Sequence, residues 1–212
     1  MSKFLQQQPL ILASGSRIRA ELLQSLGLTF EIIPSHCQEE RLKNANRNAD
    51  RVDLGYALAQ DKALSVSEQF PEHYVLGADQ LCLFENTIFD KPQNHHTALK
   101  QLSLLNGKKH QQLVCMCIAH KTKIVWQHHE LAELTMRLLP TSVIENYLLD
   151  EQPYQSCGAY HFESGGRWLF AKIKGEDDTI LGLPRQPLMA AFLHLNIVYF
   201  NSTGSSADDG NC

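Results

Sequence analysis

The sequence predicts an α/β fold with a mixed, twisted sheet flanked by helices, and three observations carry that expectation. Near the N-terminus, in LILASGSRIRAELLQSLGL (residues 10–28), an apolar run passes through a small polar turn into residues with helical spacing. Mid-chain, β-rich runs occur in pairs separated by short polar breaks, the mark of antiparallel hairpins. Helical and strand-like segments also alternate along the chain instead of segregating. A chain of 212 residues is long enough to bury a full core. It suits one domain over residues 1–200, or two lobes around a cleft, better than two independent units.

In order, residues 9–13 read as a strand and 16–27 as a helix, where Ile18, Leu22 and Leu26 form an apolar stripe. TFEIIP (29–34) alternates as a second strand ended by Pro34, and 36–50 reads as a polar, charged loop. An Ala- and Leu-rich helix is expected over 52–68. In HYVLGADQLCLFENTIFDKP two β-rich runs flank Glu85-Asn86 like a hairpin, with Asp79 interrupting the first. A helix is expected over 94–105, paired strands over 111–119 and 122–136, and a helix capped by Thr141 or Ser142 that runs to about 149. A strand over 167–173 and a helix over 185–194 close the fold. The tail NSTGSSADDGNC (201–212) lacks apolar content and is expected to be flexible.

Composition excludes several function classes. Nineteen basic against 23 acidic residues give a net charge of −4, which argues against broad binding to a nucleic acid backbone, so any anion site is local. No apolar run approaches a membrane span, and MSKFLQQQPLIL lacks a signal peptide's long apolar segment, so the cytoplasm is the expected compartment. Six scattered cysteines form no C-x-x-C pair and read as core thiols. His95-His96 and His128-His129 are adjacent, not spaced i, i+4 as metal ligands on a helix are, and read as surface residues.

Several residues are candidates for chemistry. Ser14, Gly15, Ser16, Arg17 and Arg19 sit where a strand hands over to a helix, whose first N–H groups and dipole attract an anion. A capped turn with solvated arginines is the other reading of the same residues. Asp79 lies in an apolar run, VLGADQLCLF, where water is scarce; alternatively it is a strand-end aspartate bonded to a turn. Lys62 borders the apolar face of its helix as a snorkelling lysine would, and Lys91 precedes Pro92, which fixes the backbone. Glu39 and Glu40 lie in the polar loop. YQSCGAYHFESGGRW combines Gly158, Gly165 and Gly166 with Tyr160 and Glu163. Cys157 and His161, four apart on that Gly-rich loop, are poorly spaced for a thiol hydrolase.

LASGSRIRAELL, LAQDKA, LGADQ, DKP, LNGKKH, the stretch from TMRLL to YLLDEQP, CGAYHFE and ILGLP occur in this order over residues 10–195. Together they resemble the Maf family of nucleoside triphosphate pyrophosphatases. The resemblance implies a Maf/ITPase-like fold of two lobes around a nucleotide-binding cleft. It also implies hydrolysis of a nucleoside triphosphate to the monophosphate and pyrophosphate with a divalent cation, Mg²⁺. By the same resemblance Asp79 is the general base. Ser14, Ser16, Arg19, Glu39, Lys62 and Lys91 bind the substrate, with Ser16, Arg19, Lys62 and Lys91 at its phosphates, and Glu39 and Asp79 share the metal. Glu40 is the alternative to Glu39, because Cys37-Gln38 stands where the family carries Val-Asp.

Members similar to the dTTP and UTP hydrolases carry Arg, Thr and Gln where this chain has Ile18, Gln80 and Glu163. Those three residues are similar to the branch that hydrolyses 7-methyl-GTP, where a carboxylate accepts from the donor edge of a cationic guanine. A dTTP/UTP-type enzyme remains one alternative. A second is a nucleotide-binding regulator with little turnover, since the family is linked to septum inhibition. Homodimers are common among relatives, and neither a nucleic acid nor a membrane partner is implied.

Overall fold

A computed structural model of the chain describes residues 4–37, 39–46 and 49–200. The elements are β1 (Phe4–Gln6), β2 (Leu10–Leu12), α1 (Arg17–Gln24), β3 (Glu31–Ile32), α2 (Glu39–Ala45), α3 (Arg51–Ser67), β4 (Tyr74–Phe84) and β5 (Thr87–Phe89). Then come α4 (His95–Leu105), β6 (Lys109–His120), β7 (Lys123–Met136), α5 (Thr141–Glu151), β8 (Phe170–Lys174), α6 (Asp177–Ile180), α7 (Arg185–His194) and β9 (Val198–Phe200). A mixed sheet runs in the order β3-β2-β4-β6-β7-β8, with β5 added to β4. β2 is parallel to β3 and β4, whereas β4, β6, β7 and β8 are successively antiparallel.

Strand alternation sorts the core into faces. Leu76, Ala78, Val114, Met116 and Ile118 pack with Leu23 of α1 and Leu188 and Phe192 of α7. The intervening Val75, Leu81, Leu113, Cys115 and Cys117 pack against Leu54, Leu58, Ala59 and Ala63 of α3. Gly77 lets α3 approach closely, since a Cβ there would lie 2.3 Å from the Ala59 carbonyl oxygen. Beyond the end of β4, α4 and α5 cover a third cluster that includes Phe84, Phe89, Leu134, Tyr160 and Phe170.

The hairpins and long helices follow the sequence reading. Asp50 and Asn94 cap α3 and α4 by accepting from Val52 and Thr97 N–H. Lys121 and Thr122, both at positive φ, turn β6 into β7.

Four details differ. The 36–50 loop contains α2, whose Glu39 and Glu40 in the first turn and Lys43 in the last complement the helix dipole; none of its residues is buried, so no apolar period marks it. α1 ends at Gln24 and buries Arg19 and Leu23, not Ile18, because its inward face carries the arginine. Pro140, not Thr141 or Ser142, precedes α5 and makes no side-chain cap bond: the chain enters this helix one residue early, with Leu139 N–H held by Asn106. A 3-10 turn, Gly165–Leu169, occupies the start of the strand expected from 167. Cys82, Cys115 and Cys117 are buried thiols, whereas Cys37 and Cys157 are partly exposed. The tail 201–212, with Cys212, lies outside the described residues. Among the described residues no helix is long and apolar enough to cross a membrane.

Candidate active site

The cleft arises from how β4 is paired. On one edge β6 accompanies it from Val75 to Leu83. On the other, β2 covers Tyr74–Leu76 and β5 covers Cys82–Phe84, so residues 77–81 face no strand there. A cleft of about 960 Å³ opens along that gap. Ligand sites in α/β sheets favour such breaks in strand pairing. Backbone groups left unpaired by the gap need partners, and the Ala78 carbonyl accepts from Arg19 Nη1 at 2.8 Å.

Arg19 reaches this point from the first turns of α1. Its Nε donates to the Gly182 carbonyl at 2.9 Å and its Nη1 also lies 3.4 Å from Ser14 Oγ. Ser16 caps the helix by accepting from Arg19 N–H at 3.3 Å, and Ser14 Oγ accepts from Ser16 N–H at 3.2 Å. The opening motif is therefore both a capped turn and part of the cleft wall. Arg19 is 9 % exposed, so it is not a solvated arginine. Burial draws its guanidinium below the ordinary value, while Asp79, Cys157 and Glu39 oppose that shift.

Asp79, 7 % exposed, points to the α3 face. There Lys62 Nζ lies 2.6 Å from Asp79 Oδ1 and 2.7 Å from Glu39 Oε1. Burial disfavours the Lys62 ammonium, yet the charge of Asp79 and the hydrogen bonds it donates to both carboxylates outweigh this and raise its pKa. Burial likewise pushes Glu39 upward, but Lys62, Lys43 and Lys91 win and hold it below the usual carboxylate value. A lone snorkelling lysine does not describe this geometry: Lys62 bridges two acids.

Every site residue expected from the sequence lines this one cleft: Ser14, Ser16, Ile18, Arg19, Glu39, Lys62, Asp79, Gln80, Lys91 and Glu163. Glu40 lines it too, but the ion pair to Lys62 belongs to Glu39. Sequence reasoning missed Lys43, which pairs with Asp90, and Gln112, which also lines the cleft. Gln112 left a faint signal as a polar residue leading into the apolar run LVCMCIA. Burial pushes the Cys157 thiol up, and His161 Nδ1 faces Glu151 Oε2 at 3.4 Å, so these two do not form a thiolate nucleophile and its base. Among the described residues no group of three or more His, Cys, Asp or Glu side chains is placed to hold a metal.

Cations, two acids and amides around one hollow beside a break in a mixed sheet define an α/β protein equipped for a polar, anionic small molecule. The chain belongs to the Maf family: the model described as "Maf-like protein" matches residues 9–195. A nucleoside triphosphate pyrophosphatase of Legionella pneumophila (strain Philadelphia 1) is 52% identical over 198 residues, covering 93% of this chain and 99% of its own. One from Rhodopseudomonas palustris (strain BisB18) is 37% identical, over 89% of this chain and 95% of its own. Among solved structures, the Staphylococcus aureus Ham1 protein aligns with 62% of this chain and 73% of its own, at 9% identity and a TM-score of 0.41.

Proposed function

We propose that this Maf-family chain is a cytoplasmic nucleoside triphosphate pyrophosphatase that removes noncanonical nucleotides, its described residues forming one domain of two lobes around the cleft. The observation that carries this reading is the Glu39–Lys62–Asp79 bridge, beside Arg19, in the cleft. Water attacks the α-phosphorus and gives a proton to Asp79, the bond to the bridging oxygen breaks, and pyrophosphate leaves with that electron pair. Lys62 keeps its charge because two carboxylates hold it, so it can meet phosphate oxygens as a compact cation. Ser14, Ser16, Arg19 and Lys91 line the same hollow and complete the phosphate-facing set.

Glu39 and Asp79 already share one positive charge, the Lys62 ammonium, and both offer only oxygen, which suits Mg²⁺. Glu39 and Asp79 would hold the ion, which would supply charge neutralisation at the phosphates.

Ile18, Gln80 and Glu163 line the same cleft, and this reading assigns them to the base. A carboxylate at Glu163 favours a cationic base rich in donors, so 7-methyl-GTP is the substrate we propose. The test is a nucleotide panel with purified protein and Mg²⁺, assayed for products. Monophosphate and pyrophosphate, with 7-methyl-GTP preferred, support the proposal, and preference for dTTP or UTP overturns the base assignment. Release of orthophosphate overturns the reaction; binding without turnover across the panel identifies a regulator instead.

A further inference from the structure

Behind the base-facing wall, four side chains form one hydrogen-bonded row. Gln80 and Gln112 lie on the same sheet face, diagonal across β4 and β6: Gln80 is opposite Val114, and Gln112 opposite Cys82. Gln80 Nε2 lies 2.7 Å from the Ile180 carbonyl oxygen and 3.1 Å from Gln112 Oε1. Gln112 Nε2 lies 2.6 Å from Tyr160 Oη, and Tyr160 Oη lies 2.9 Å from His110 Nε2. Gln112 is 1 %, Tyr160 4 % and His110 2 % exposed, so water does not compete for these bonds.

The direction of the row follows from its one fixed end. An amide side chain can be turned either way until its partners decide, but a backbone carbonyl only accepts. The Ile180 carbonyl therefore requires nitrogen at that end of Gln80. The second N–H of that nitrogen must then meet an acceptor, which sets Gln112 with its oxygen towards Gln80 and its nitrogen towards Tyr160. Tyr160 accepts from Gln112 and turns its own O–H to His110. Burial pushes the phenol well up and keeps it protonated. Burial also pulls His110 down to about 4, which leaves a neutral ring whose Nε2 can accept. The reverse tautomer would strand the phenol proton as well as Nδ1. Nδ1 is buried without a hydrogen-bond partner among the described residues.

We infer that Gln112 and Tyr160 are positioning residues that lock the Gln80 amide with both N–H groups turned away, so Gln80 meets the nucleobase as a hydrogen-bond acceptor alone. This rests on the base-facing role proposed for Gln80. Its remaining hydrogen-bonding atom, Oε1, lies beside Gly182 and the Arg19 guanidinium: a Cβ on residue 182 would stand 2.7 Å from Oε1 and 3.3 Å from Arg19 Nε and Nη2, so Gly182 leaves both room. With Glu163, Gln80 then adds a second acceptor to the base-facing side and favours bases with a donor edge.

The test compares Gln112→Met, which keeps the shape and removes the row, with Gln112→Glu. Buried and neutral, the acid offers the same acceptor and one donor. Gln112→Met is expected to lower the ratio of kcat/KM for 7-methyl-GTP over UTP about tenfold through KM, with kcat within about threefold. Gln112→Glu is expected to restore the ratio. An unchanged ratio in Gln112→Met, or a loss confined to kcat, overturns the inference. Should Gln112→Met lose its melting transition, Tyr160→Phe carries the test with the same expected direction. A second arm needs no substrate: nitrogen NMR of His110 in the intact protein is expected to find the proton on Nδ1, and a proton on Nε2 overturns the row's direction. Failure to hydrolyse any nucleotide defeats the proposed function, while the NMR result still decides the row.

Discussion

Asp79 and Gln80 are neighbours in sequence and opposites in surroundings. Asp79 turns to the α3 face, where Lys62 and Glu39 hold it by charge. Gln80 turns to the α1/α7 face, where a carbonyl and another amide hold it by direction. Charge attracts any phosphate and is nearly indifferent to angle, which suits a reaction at an anhydride shared by all nucleotides. Amides have little charge but strict donor and acceptor ends, which suits telling one base from another. On the proposed reading, one residue of strand separates a wall for chemistry from a wall for recognition.

If that division is right, damage on the two sides should differ in kind. Asp79→Asn removes the proton acceptor while keeping the shape, and kcat should fall about a thousandfold with nucleotide binding largely intact, measured by turnover and calorimetry. The neutral wall should show in stability instead. His110 takes up its proton in the unfolded chain near the ordinary 6.5 but in the folded protein only near 4. Its contribution is complete above about pH 6.5 and is lost as pH falls towards 4, approaching roughly 3 kcal/mol. Denaturation between pH 7 and 4.5 should be flatter in His110→Phe than in the parent.

Glu163→Gln should reduce kcat/KM for 7-methyl-GTP about tenfold, or about 1.4 kcal/mol, and affect dTTP and UTP less. An equal loss on all three would remove its role in base choice. Cys157→Ala should change turnover by less than about twofold, because its thiol is held protonated by burial. Loss of activity there would place chemistry on a third side of the cleft.

The β-rich runs flanking Glu85-Asn86 and the paired runs 111–119 and 122–136 made β4 to β7 readable, because residue type and turn chemistry are local properties. The candidate residues were readable mainly as a resemblance; taken singly, Lys62 looked like a snorkelling side chain, and Asp79 like a carboxylate short of water or a turn aspartate. Their meeting depends on Gly77 letting α3 come close to β4, a tertiary fact no spacing reveals. α2 escaped because it fully buries none of its residues: Leu42 packs only partly against the core, and ion pairs tie Glu39 to Lys62 and Lys43 to Asp90. Gln112 escaped because a polar residue leading into an apolar strand gains meaning only once its partners on β4 and beyond β7 are in place. The double use of Arg19, as tie to Ala78 and Gly182 and as part of the cleft wall, was likewise invisible.

The most direct test is a crystal structure of Asp79→Asn with 7-methyl-GTP and Mg²⁺. The division of labour across β4 predicts α- and β-phosphates beside Lys62 and Arg19, with the base against Gln80 and Glu163. A triphosphate bound outside the gap between β2 and β5, or a base lying on the Lys62 side, would contradict it.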